Sequence, residues 1–130
     1  MSSLLGLTPV VRLKLENVFL EKSYPGSGSM EGTIDTGYQG FVAVPRNVFD
    51  ALGLGELRTV RRVVELSDGR KLESLVASAT AEVVGTGAQV DGPVEMVPGL
   101  SEVLVGTKFL SRFKLTLDYC LRISSLERCH

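Results

Sequence analysis

Residues 32–45 read Gly32-Thr33-Ile34-Asp35-Thr36-Gly37-Tyr38-Gln39-Gly40-Phe41-Val42-Ala43-Val44-Pro45. A β-branched apolar residue leads straight into a single carboxylate, a threonine and a glycine follow, and a valine-rich run then stops at proline. Gly32-Thr33-Ile34 and Phe41-Val42-Ala43-Val44 have the makeup of short strands, so Asp35 stands in the connection between them. An acid so placed serves either the turn or a reaction. As a turn residue it would bond its own backbone in an Asx-turn, which Asp-Thr-Gly favours.

Working outward, period-two alternation dominates. Val11-Arg12-Leu13-Lys14-Leu15-Glu16 alternates apolar and charged side chains, the pattern of a strand with one face in the core, and Val18-Phe19-Leu20 continues it. Tyr24-Pro25-Gly26-Ser27-Gly28-Ser29 is a loop by composition. Residues 45–53 predict one or two helical turns, with Pro45 at the start, Val48, Phe49 and Leu52 on one face and Gly53 closing the end. Residues 59–66 and 71–76 flank Ser67-Asp68-Gly69-Arg70, and Asp-Gly between two β-prone runs predicts a hairpin with a polar tip.

Two further strands are expected at 79–84 and 90–97, separated by Gly85-Thr86-Gly87 and ended by Pro98-Gly99. Val103-Leu104-Val105 reads as a wholly apolar strand ended by Gly106, and residues 107–113 have the spacing of a short helix that turns Phe109 and Phe113 to the core. Leu115-Thr116-Leu117-Asp118-Tyr119 alternates again, which makes Asp118 a solvated strand position. Asp50 and Asp91-Gly92 read as helix-end and turn residues. A strand, a glycine-containing apolar motif and a short helix occur at 34–52 and are echoed at 103–112. The sum is an all-β domain of many short strands with one or two short helices, residues 1–130 forming a single unit with a tail or dimer-contact strand at 120–130.

Composition bounds the function. A chain of 130 residues is the size of one domain, and 44% apolar against 22% charged residues describes a globular protein. The net charge of −1 leaves no electrostatic footprint for nucleic acid. Arg58, Arg61 and Arg62 lie between Glu56 and Glu65 and read as a solvated strand face. The opening MSSLLGLTP lacks a basic region, and no run is long enough to span a bilayer, so the expectation is a cytoplasmic protein without membrane contact. Cys120 and Cys129 are too few for a disulfide framework and read as free thiols. His130 is the only histidine, so schemes with a histidine base find no support, and no metal or other cofactor is expected.

The ordered set from Ile34-Asp35-Thr36-Gly37-Tyr38 through the valine strand, the Asp-Gly hairpin and Leu104-Val105-Gly106 with its helix resembles the retropepsin-like aspartic peptidases. It is closest to the small single-domain type with an Asp-Thr-Gly-Phe-like motif. The resemblance covers 32–119 and implies a closed acid-protease barrel with one catalytic aspartate per chain, acting as a homodimer on polypeptide substrates. By carry-over Asp35 is the catalytic acid, Thr36 reaches across the dimer axis, and Gly37 lets backbone amides approach the carboxylate. Gly106 supports the catalytic loop, and Ser67, Asp68, Gly69 and Arg70 tip the flap that covers substrate. Tyr38 stands where phenylalanine is usual, and the flap tip is more polar than in the viral enzymes.

The chemistry explains the need for two copies. Hydrolysis without a covalent intermediate requires one group to take a proton from water while another gives one to the scissile carbonyl. Two carboxyls about 3 Å apart cannot both ionise and so hold one proton between them, as in pepsin and the HIV protease. The other reading is a non-catalytic peptide-binding or assembly module on the same fold, since fold does not fix function.

Overall fold

The computed structural model describes residues 2–5, 8–65 and 68–129. Its first strands are β1 (Ser2–Leu5), β2 (Thr8–Asn17), β3 (Lys22–Tyr24), β4 (Met30–Ile34) and β5 (Val42–Val44). After helix α1 (Arg46–Ala51) and a 3-10 turn at Leu54–Glu56 come β6 (Val60–Glu65), β7 (Lys71–Val83), β8 (Ala88–Met96) and β9 (Val103–Val105). Helix α2 (Thr107–Leu110), β10 (Phe113–Asp118) and β11 (Ile123–Arg128) complete the chain. The protein is mostly β, with two short helices.

The alternation in β2 buries Val11, Leu13 and Leu15 while Arg12 and Glu16 face water. This strand closes the sheet on itself. On one edge Val10–Leu13 pair with Met30–Thr33 of β4; on the other Leu13–Glu16 pair with Thr80–Val83 of β7. The path β2-β4-β9-β5-β8-β7 therefore returns to β2 as a closed six-stranded barrel. Closure satisfies both backbone edges of all its members. The echoed segments lie side by side, β4 and β9 running parallel with Gly32 opposite Val103, Thr33 opposite Leu104 and Ile34 opposite Val105.

Strands β5 and β9 are buried along their whole length because two apolar clusters flank them. The main core fills the barrel around Leu13, Val42, Val94 and Phe109. Outside it, Tyr38, Ala43, Val64, Val97 and Leu104 form a second, smaller cluster. Phe109 stacks edge-on against Phe41 at a centroid distance of 5.3 Å.

Several expectations need correction. Val18, Phe19 and Leu20 do not prolong β2: they form an exposed turn, because Asn17 Oδ1 accepts the amides of Phe19 (3.2 Å) and Leu20 (3.4 Å) while its Nδ2 donates to the Leu52 carbonyl. The strands expected at 71–76 and 79–84 are one, β7, since Ala77-Ser78 has no Gly, Pro, Asn or Asp to break the run and both residues stay in the ladder opposite Val94 and Pro93. Helix α2 stops at Leu110, so Phe113 opens β10; it still packs on Phe109 at 5.1 Å. The segment read as a tail or a dimer-contact strand contains the strand β11, which pairs within the chain, with β10 from Phe113↔Arg128 to Asp118↔Ile123 and with β1 at Ser2↔Ser124. Buried Ser124 donates through Oγ to the Val10 carbonyl at 2.9 Å, fastening that strand to the barrel.

Candidate functional site

Asp35 sits where β4 ends. Its amide donates to the Val105 carbonyl (3.0 Å), continuing the parallel ladder one residue past the strand, and its own carbonyl accepts from Tyr38 N (3.1 Å). The side chain turns back on the loop: Oδ1 accepts from Gly37 N at 2.9 Å. That is the Asx-turn read from composition, and it occupies one carboxylate oxygen. No salt bridge engages this carboxylate among the described residues. Asp35 is half-buried, and Thr36 and Gly37 are exposed at the surface of the loop.

A second element clamps the loop from beneath. The amides of Gly106, Thr107 and Lys108 donate in succession to the carbonyls of Phe41 (2.9 Å), Tyr38 (2.9 Å) and Gly40 (3.1 Å). Such close approach leaves no room for a side chain at position 106, where a Cβ would run into the Gly40 carbonyl oxygen and the Tyr38 ring. The structure thus brings Asp35, Thr36, Gly37 and Gly106 into one local unit, two crossed loops at the ends of adjacent parallel strands.

The hairpin of β6 and β7 is in register from Val60↔Val76 to Glu65↔Lys71. Between it and the Asp35 loop lies a cleft of about 410 Å³, one wall made by Gly37–Gly40 and the other by Arg62–Glu65. At the hairpin tip Gly69 takes a positive φ of 86°, and Asp68 holds Arg70 by two contacts, Arg70 N to Oδ1 (3.0 Å) and Arg70 Nε to Oδ2 (2.6 Å). The Arg70 backbone amide, and then its guanidinium, hold the Asp68 carboxyl below the usual carboxylate range. Ser67, expected in the flap, lies outside the described residues.

Sequence reasoning missed the polar centre beneath this cleft. Glu95 of β8 is fully buried, yet every donor it needs is present. Oε1 accepts from Tyr38 Oη at 2.6 Å, Oε2 accepts from Ser74 Oγ at 2.9 Å, and Arg62 Nε lies 3.2 Å from Oε2. Burial, reinforced by the bond to Glu95, pushes the Tyr38 phenol well above its ordinary value. Gly40 makes the space, since a Cβ there would strike the Tyr38 hydroxyl and approach Glu95 Oε1. The available signal was Tyr38 itself: a tyrosine beside a glycine-rich loop carries a hydroxyl that burial obliges to find a partner.

Asp118 ends β10, with Oδ1 accepting from Leu121 N at 3.0 Å, a turn role. Cys120 and Cys129 are exposed and unpaired. Among the described residues no three His, Cys, Asp or Glu side chains gather as a metal-binding group, and no helix is long and apolar enough to cross a membrane.

No family model matches the chain. It is 40% identical over 122 residues to an uncharacterized protein of Archaeoglobus fulgidus, a match that spans 94% of this chain and 95% of that protein. Identity at that level, along nearly the full length of both, means that this chain belongs to the same family as the archaeal protein.

Proposed function

We propose that the protein is an aspartic endopeptidase whose active site forms when two copies bring their Asp35 carboxyls together. The observation that carries this reading is the seating of Asp35: one oxygen is fixed by Gly37 N, and the loop is clamped by the amides of residues 106–108 next to a cleft under a hairpin. A carboxylate held this firmly is oriented before substrate arrives, which is what proton transfer in a transition state requires.

In the pair, one Asp35 takes a proton from water while its symmetry mate gives one to the scissile carbonyl oxygen; collapse of the tetrahedral adduct returns a proton to the leaving amine. The exposed Thr36 and Gly37 leave the loop open to an isologous contact, in which Thr36 reaches across the axis. An extended polypeptide lies in the cleft and pairs with backbone edges, and the hairpin tipped by Asp68, Gly69 and Arg70 covers it. The exposed free thiols Cys120 and Cys129 suit a reducing, cytoplasmic setting.

A peptide-binding module without turnover is the second reading, favoured by the Asx-turn that already gives the Asp35 carboxylate a structural task. A peptide-library digest from acidic to neutral pH separates the two. The wild-type protein is expected to cut and Asp35→Asn, which keeps shape and loses the titrating group, to cut nothing. Cleavage that persists in Asp35→Asn overturns the assigned chemistry, and intact peptides with both proteins favour the binding module.

A further inference from the structure

Among the described residues Arg62 is the one cation on the cleft wall, and it is held there by a buried carboxylate. In β6, period two places Arg62 and Val64 on the face toward the cleft, while Arg61 turns away to pair with Glu73 at 2.8 Å. Arg62 Nε lies 3.2 Å from Glu95 Oε2, and Glu95 is itself locked by Tyr38 and Ser74. A buried carboxylate is costly to desolvate unless it is paired and hydrogen-bonded, so Glu95 demands the guanidinium and fixes its aim.

A guanidinium has a planar fork of donors, and engagement through Nε leaves the Nη1–Nη2 end for a second acceptor. No other carboxylate among the described residues pairs with Arg62, whose side chain remains 45% exposed. The opposite wall, Gly37–Gly40, carries no charge, although Glu65 borders the cleft from the other face of β6. A stiffened cation opposite a neutral wall is a seat for a carboxylate.

We infer that Arg62 forms a carboxylate-binding subsite that makes the cleft selective for peptides with an acidic side chain at one fixed position. This rests on the reading of the cleft as a peptide site, with or without turnover. Bidentate engagement by the fork distinguishes glutamate from its isosteric amide, which offers one acceptor and no charge.

The test measures binding to the Asp35→Asn protein by fluorescence polarisation. The probes are labelled, C-terminally amidated peptide pools, randomised except for one position fixed as Glu or Gln, with a further Gln-fixed pool bearing a free C-terminal carboxylate. At one position the Glu pool is expected to bind roughly tenfold tighter than the Gln pool, an advantage that shrinks at high salt. Arg62→Gln in the same background brings the two pools to within about twofold, and Arg62→Lys, a point charge without the fork, retains part of the preference. Because Arg62→Gln strands Glu95, the Arg62→Gln/Glu95→Gln protein is measured beside it and is expected to show the same loss.

Equal binding of all pools, no binding of any, or a Glu preference that survives Arg62→Gln overturns the subsite. An advantage confined to the free-carboxylate pool also overturns it, since the fork then reads a chain end. The two readings fail separately. Wild-type protein that cuts without regard to Glu leaves the peptidase and removes the subsite, whereas an Arg62-dependent Glu preference in a protein that cuts nothing does the reverse.

Discussion

Tyr38 Oη donates a 2.6 Å hydrogen bond to Glu95 Oε1 across 57 positions of sequence, and neither residue reaches solvent. One belongs to the loop that carries Asp35, the other to a barrel strand whose neighbour β7 supplies Ser74. Through Arg62 the same carboxylate reaches β6. A single buried acid thus ties the Asp35 loop to both strands of the hairpin that faces it.

Removing that hydroxyl should cost stability and change the alkaline response. Tyr38→Phe leaves Glu95 short of one donor, a loss of about 1–3 kcal/mol in urea unfolding. Because the folded-state phenol is raised, its contribution is complete below the ordinary tyrosine value of about 10 and is lost as pH rises from there toward the raised value. Wild-type stability should therefore fall with pH above that point, with a shallower slope in Tyr38→Phe; parallel slopes would count against a buried neutral phenol.

Gly106→Ala should be among the most damaging single-methyl changes in the chain. The added Cβ meets the backbone carbonyl of Gly40, which cannot rotate away, along with the Tyr38 ring. About 3 kcal/mol of destabilisation is expected, read as a lowered denaturation midpoint, with loosened exchange protection of the residue 107 and 108 amides. A neutral result would mean that the clamp yields easily.

The hairpin tip offers an acid-side signal. The Asp68 carboxyl, held low by the Arg70 amide and guanidinium, should release both as pH falls through its depressed value, and not before. The Arg70 amide resonance in a heteronuclear NMR titration should move with a midpoint below the ordinary aspartate value of about 3.9, and should not move in Asp68→Asn.

Dimerisation should respond to pH with a definite sign. Two Asp35 carboxyls brought together hold one proton that separated chains at mildly acidic pH would release, so association binds a proton and weakens as pH rises. Sedimentation velocity across the acidic to neutral range should show wild-type affinity declining and Asp35→Asn affinity flat. An affinity that climbs with pH in the wild type alone would remove the proton-sharing pair.

The parts of this fold that were legible in the sequence are those whose signal is local. Alternation placed β2, and the Asp-Gly pair placed the β6–β7 hairpin. The exposed and half-buried side chains of Lys22–Tyr24 gave β3 no periodic signal, and Ile123–Arg128 earned its burial only by meeting partners far away, as Ser124 does at the Val10 carbonyl. Glu95 was illegible for the same reason. Flanked by Val94 and Met96, it reads as an outward strand position until the second apolar cluster covers that face and Tyr38, Ser74 and Arg62 converge on it.

The partners of the Asp35 loop are Val105 and the three amides after it, about seventy positions downstream. During synthesis the acid therefore leaves the ribosome long before anything exists to orient it, and a chain interrupted ahead of β9 would possess the motif without its geometry. Whatever chemistry Asp35 performs is thereby reserved for the finished molecule.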